Sequence, residues 1–201
     1  MMMMILRSGV SMIVQTSQDV LHTALKNGDG IAEKLAHEIE KKFINRPYTI
    51  PLSDDVRGHW NGMNRSLILR TTTINIALYY NRENVAIIII DRGANLLLTD
   101  QYGNTPLHIA AFRGLNIAVI KILDKINMLK PQVIDIKNSV GDTPLHMAVR
   151  YNQNLIVKSL LENGADPMIA DKYGNTPLHL AVKNNLSEEL IIDVIDAGRR
   201  K

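Results

Sequence analysis

The chain has 201 residues, a formal charge of +3 and no cysteine, which excludes disulfide frameworks, thiolate zinc sites and cysteine nucleophiles. Its 23 Lys and Arg are dispersed rather than blocked, so the chain lacks the concentrated positive charge that tracks a nucleic-acid backbone. With 46% hydrophobic but only 4% aromatic residues, the core must be aliphatic and the placing of each aromatic side chain becomes informative.

Met1 to Val14 is apolar but broken by Arg7, Ser8 and Gly9. It lacks the continuous apolar run of a secretory signal, and residues 1–15 are read as a frayed amino terminus. Ile31, Leu35, Ala36 and Ile39 then recur at helical spacing, with Glu33, Lys34, Glu38, Glu40, Lys41 and Lys42 supplying a soluble exterior. From Asn45 to Arg65 the pattern fails: Pro47, Pro51, Gly58 and Gly62 punctuate a polar stretch that carries Trp60, the only tryptophan. Asp54, Asp55 and His59 are acid/base or metal-ligand types, but a polar loop of this composition carries such residues without chemistry. Val85 to Ile90 is intensely apolar, yet about a third of the length that spans a bilayer.

Self-similarity then dominates. Gly103 to Ala110 reads GNTPLHIA, Gly141 to Ala148 reads GDTPLHMA and Gly174 to Ala181 reads GNTPLHLA, with their threonines 38 and 33 residues apart. A degenerate copy, Thr72 to Ala77, lies 33 residues before the first. Thr at an N-cap accepts a bond from the free first-turn amides, and Pro at the next position has the helical φ and no donor to orphan. Helices therefore start at Thr105, Thr143 and Thr176, with Leu107, Leu145 and Leu178 on the buried face and Ala110, Ala148 and Ala181 small enough for close helix approach. A second apolar element follows each copy, as in Ile156 to Asn163, and Gly93 and Gly164 end two of these where a left-handed residue is required.

These motifs resemble the ankyrin-repeat family. The resemblance implies an all-α solenoid of stacked helix-turn-helix units with short hairpin tips, in four repeats: 67–99 (degenerate), 100–137, 138–170 and 171–201. The second is five residues longer than standard, with four extra around Asn127 to Gln132, so its outer helix should run on or end in a longer loop. Asp19 to Gly28 keeps the Leu-His-x-Ala positions without Thr-Pro, making 16–44 a capping helix pair and 45–66 an inserted loop. His108, His146 and His179 fall on successive repeats, about 10 Å apart, too far to share one metal ion. The family uses this histidine to bond the backbone of the adjoining turn.

The resemblance further implies partner contacts from the hairpin tips and the exposed ends of the inner helices. Counting by repeat assigns Tyr79, Tyr80, Tyr102, Phe112, Arg113, Arg150, Tyr151, Lys172, Tyr173 and Lys183 to that surface. Five of the six tyrosines land there, and Tyr and Arg are the types enriched in binding hot spots. The function so implied is recognition of another protein, with a preference for acidic segments, by a cytoplasmic monomer with no catalytic site, cofactor, metal, nucleic-acid or membrane partner. Two alternatives stand beside it. One is a pathogen effector binding a host protein in the host cytoplasm, prompted by richness in Ile, Asn and Lys. The other is an enzyme with its site in the 45–66 loop, for which no phosphate loop, ligand spacing or nucleophile motif is present.

Overall fold

A computed structural model describes residues 21–28, 30–38, 44–51, 68–127 and 131–200. The segment 1–15 and Asp54, Asp55, His59 and Trp60 lie outside the described residues.

Each Thr-Pro-Leu-His motif starts a helix by the same device. Thr105 is extended (φ −76°, ψ 166°), its hydroxyl faces the His108 amide, and its own N–H donates to His108 Nδ1 at 3.2 Å. Thr143 with His146, and Thr176 with His179, repeat this reciprocal cap. Each such cap stabilises its helix by about 1 kcal/mol, and the proline that follows lacks a donor to leave unpaired.

The helices so started, with their partners, are residues 21–27 (α1), Ile31–Glu38 (α2), Thr73–Tyr79 (α3), Glu83–Asp91 (α4), Pro106–Arg113 (α5), Asn116–Asn127 (α6), Pro144–Arg150 (α7), Asn154–Glu162 (α8), Pro177–Lys183 (α9) and Glu188–Arg199 (α10). The inner helices α3, α5, α7 and α9 pack side by side in chain order. The outer helices α2, α4, α6, α8 and α10 form the second layer. Ala77, Ala110, Ala148 and Ala181 stand at one register of the inner helices and are all fully buried, which lets neighbouring helices approach closely. Between the layers Leu107, Leu145, Ile156, Leu160, Ile122 and Leu190 close an aliphatic core. Burial of each such side chain is worth about 1.5 to 3 kcal/mol.

Inner and outer helices are joined by one left-handed residue: Asn81 (φ 59°), Gly114 (φ 74°), Asn152 (φ 56°) and Asn185 (φ 52°). Asn tolerates that region better than any other residue with a side chain, so a position filled by Gly once and Asn three times is a backbone requirement. In the longer second repeat both expected outcomes occur together. α6 has twelve residues where α4 and α8 have nine, and a 3-10 turn, Pro131–Asp135, then leads to the next tip.

Upstream of the repeats, Leu21, Leu25, Ala32 and Ala36 of α1 and α2 join the common core. Two arginines of the first repeat hold these helices by their last carbonyls: Arg82 donates to Leu25 O (2.8 Å) and Lys26 O (3.3 Å), and Arg92 to His37 O. Of the interval 45–66, expected as a loop, the described part 45–51 contains a strand. Tyr48–Pro51 (β1) pairs antiparallel with Ile68–Thr71 (β2), Tyr48 opposite Thr71 and Pro51 opposite Ile68. The inserted residues thus begin as an arm on the first repeat, and β2 runs directly into the N-cap position of α3. Proline at the end of β1 fits a strand position that need not donate to a ladder. Among the described residues no helix is long and apolar enough to cross a membrane.

Candidate partner-binding surface

Three tips precede α5, α7 and α9, and each is closed by the side chain of its first residue. Asp100 Oδ1 accepts the Tyr102 and Asn104 amides at 2.8 and 2.9 Å; Asn138 Oδ1 does so for Val140 and Asp142, both at 3.0 Å; Asp171 Oδ1 for Tyr173 and Asn175 at 2.8 and 2.9 Å. Asp and Asn side chains suit such turns because a short acceptor reaches the amide two residues on. The tips are also bonded to one another through backbone, Ser139 N–H to Tyr102 O (2.8 Å) and Lys172 N–H to Val140 O (3.1 Å).

Seven residues after each N-cap threonine stand Tyr79, Phe112, Arg150 and Lys183, and this position reaches toward the following tip. The Tyr79 hydroxyl donates to Asp100 Oδ2. Arg150 Nη2 donates to both Asp142 oxygens, at 2.8 and 3.1 Å, and stands 3.7 Å from Asp171 Oδ2. Phe112 has no polar reach and instead receives the Tyr151 ring edge-on, centroids 4.5 Å apart at 73°. One position later, Tyr80 shares a 3.1 Å hydrogen bond with His22 of α1, and Arg113 donates to the Tyr79 carbonyl with its guanidinium 5.5 Å from the Phe112 ring.

The ten residues assigned by counting thus separate into three groups. Tyr79 (2% exposed), Phe112 (4%) and Tyr80 are core residues, which corrects their placing on the surface: the stack itself takes up their rings and hydroxyls. Tyr80 packs on the amino-terminal helix α1. Tyr102, Arg113 and Tyr151 are half-buried, and Arg150, Lys172, Tyr173 and Lys183 are exposed. The exposed members lie together on the third and fourth repeats. Tyr173 is 78% exposed and Val140, its counterpart on the preceding tip, 41%.

Sequence models of known families bear on this arrangement. A model described as ankyrin repeats in three copies matches residues 121–195, and one described as ankyrin repeats in many copies matches residues 72–123. The chain belongs to the ankyrin-repeat family. A search among curated proteins returns no match. Ankyrin repeats are in general protein-protein interaction modules and typically non-enzymatic scaffolds.

The histidines of these ankyrin repeats are structural. Nδ1 of His108 accepts from Thr105, so its proton sits on Nε2, which donates to Asp142 O at 3.0 Å on the next tip; His146 does the same to Asn175 O at 3.1 Å. Burial pushes the His108 pKa down to about 4, which keeps the ring neutral as this bonding requires. Burial also lowers that of His146. Among the described residues no three His, Asp or Glu side chains come together as a metal site.

Two acidic residues outside the ten assigned to the surface, Asp142 and Asp171, shape the exposed patch. In the first and third tips Asp leads and Asn follows (Asp100 with Asn104, Asp171 with Asn175), whereas the middle tip reverses them (Asn138 with Asp142). Where the first two tips meet, two amides pair, Asn138 Nδ2 to Asn104 Oδ1 at 2.9 Å. Where the second and third meet, the reversal sets two buried carboxylates, Asp142 and Asp171, side by side, and Arg150 bridges them. Burial pushes the Asp171 carboxyl up, but the bonds from Asn175 and Tyr173 outweigh it and hold the group below the ordinary carboxylate range. The signal was the Asp/Asn exchange itself, visible once the tips are aligned.

The first repeat lacks the cap. Thr72 makes no side-chain cap bond, and Asn75 stands where the others carry His. The Asn75 carboxamide and the hydroxyls of Thr71, Thr72 and Thr73 are buried without a hydrogen-bond partner among the described residues.

Proposed function

We propose that this chain is a monomeric binding scaffold, without chemistry of its own, that recognises an acidic segment of another protein across the tips and inner-helix ends of its third and fourth repeats. One observation carries the reading: Tyr173, 78% exposed, follows exposed Lys172, and Val140 of the preceding tip and Arg150 and Lys183 at the ends of α7 and α9 are exposed as well. A large exposed aromatic ring contributes nothing to the fold there, and flanking cations favour carboxylates on whatever covers it. Arg150 is part of the patch but is already engaged by Asp142, so Lys172 and Lys183 are the cations available to a partner.

The test compares wild type with Lys172→Glu/Tyr173→Ala/Lys183→Glu, first in affinity capture and then by titration of the purified captured protein. The variant should bind at least about 100-fold more weakly, as loss of a hot spot does. Wild-type affinity should fall with added salt. Unchanged affinity in a variant with a wild-type melting curve rejects the reading.

A further inference from the structure

Buried polar groups fare differently in the first repeat than in the later ones. The hydroxyls of Thr71, Thr72 and Thr73 and both polar atoms of the Asn75 carboxamide are buried without a hydrogen-bond partner, and none of the described residues from 114 to 200 carries such an atom. The equivalent groups elsewhere are bonded. The hydroxyls of Thr105, Thr143 and Thr176 accept the amides of His108, His146 and His179, and His108 and His146 each reach a carbonyl of the following tip. Asn104 O holds the place of those carbonyls at the first junction, and Asn75 makes no bond to it. A buried donor or acceptor without a partner costs free energy that is recovered as soon as water reaches it. Closure of the first junction is therefore penalised in a way that closure of the second and third is not.

On its other side the first repeat is tied to α1 and α2 at several points. Arg82 and Arg92 hold the last carbonyls of those helices, Asn84 Nδ2 donates to Glu33 Oε1 at 3.4 Å, and the Asn95 amide donates to Asn45 Oδ1 at 2.6 Å. The stability of a stacked array is the sum of what each repeat contributes alone and what each interface adds, and a lone repeat does not hold its fold. Once α1 and α2 leave, the first repeat retains only its penalised interface with the second, and it follows them. We propose that α1 to α4, with the β1–β2 arm, form a releasable end unit that opens from the second repeat in one cooperative step while the second to fourth repeats stay folded. Release uncovers Asp100 and the first-turn amide of Ala118, which Tyr79 and Glu83 hold in the closed form, and leaves the exposed tips of the third and fourth repeats unchanged.

Hydrogen exchange of the full chain, followed by mass spectrometry on peptides from α2, α4 and α8, reads this opening directly. Amides of α2 and α4 should share one opening constant, at least about 100-fold larger than that of α8. Thr71→Val/Thr73→Val replaces two unpartnered hydroxyls by methyl groups of the same shape. It should slow exchange in α2 and α4 at least about tenfold and leave α8 unchanged. Asn75→Leu removes the unpartnered carboxamide in the same way and should act in the same direction, which supplies a second variant at a separate side chain. The proposal falls if α4 of the wild type is as protected as α8. It falls equally if α2 exchanges at least about tenfold faster than α4, because the opening is then fraying from the end and not release at the first junction. A folded variant of either kind that leaves α4 exchange unchanged also overturns it, and the wild-type comparison decides the matter even where a variant does not fold.

Discussion

Replacing Arg150 with methionine isolates the electrostatic work of one side chain, because methionine retains most of the aliphatic stem and loses only the charge and its hydrogen bonds. Asp142 and Asp171 lie 2.8 and 3.7 Å from the same nitrogen, Nη2. The two carboxylates are then roughly 5 Å apart, and at an effective dielectric constant near 20 their repulsion is about 3 kcal/mol once the cation is gone. The Arg150 side chain is 38% exposed, so water and salt screen part of this. A net loss of about 2 kcal/mol remains, which for a chain of this length lowers Tm by about 4 to 8 °C. Urea denaturation of Arg150→Met measures it, and the double variant Asp142→Asn/Arg150→Met supplies the control. With Asn at 142 the second junction regains an amide facing the next tip, as Asn104 faces Asn138 at the first, and at least half the loss should return. A single variant that costs less than about 0.5 kcal/mol, or a double variant no more stable than the single, would refute the argument.

Three further outcomes follow from the same geometry. His108 titrates near 4 in the folded chain and near 6.5 when unfolded, so the unfolded state takes up the proton first as pH falls. Stability should be complete above pH 6.5 and decline toward pH 4, by about 2 kcal/mol at pH 5, and His108→Gln should flatten that part of the urea-midpoint profile. Tyr79→Phe removes a buried donor to Asp100 and should cost about 1 to 2 kcal/mol by thermal melting while leaving partner affinity unchanged; a loss of affinity without a loss of stability would return Tyr79 to the binding surface. Asn75→His restores to the first repeat the cap of the other three and should raise stability by about 1 kcal/mol, whereas a lower Tm would show that the β1–β2 arm has made the site incompatible with the ring.

The parts of this molecule legible in its sequence were those fixed by local chemistry. Thr-Pro-Leu-His specifies a helix start through a side chain and a backbone that are three residues apart, so three copies place α5, α7 and α9 without tertiary information. The surface was harder to read because one repeat position serves two ends. Seven residues past the threonine, Tyr79 and Phe112 are swallowed by the junction while Arg150 and Lys183 stay exposed, so the repeat position alone does not decide between these fates. Residue type compounds the difficulty: the same tyrosine that suits a hot spot also suits a buried hydroxyl bonded to Asp100. The arm of β1 and β2 escaped notice because Tyr48–Pro51 is short and carries a proline, a composition shared with loops.

Neighbouring tips are tied through Ser139 N–H to Tyr102 O and Lys172 N–H to Val140 O, contacts that belong to the peptide groups and not to what hangs from them. Mutation can therefore redraw Ser139, Val140, Lys172 or Tyr173 without loosening the array, and a lineage can exchange one binding target for another while its architecture stays constant. The junction spanned by Arg150 is the exception, a place where drift in Asp142, Arg150 or Asp171 must be matched by a compensating change in one of the other two.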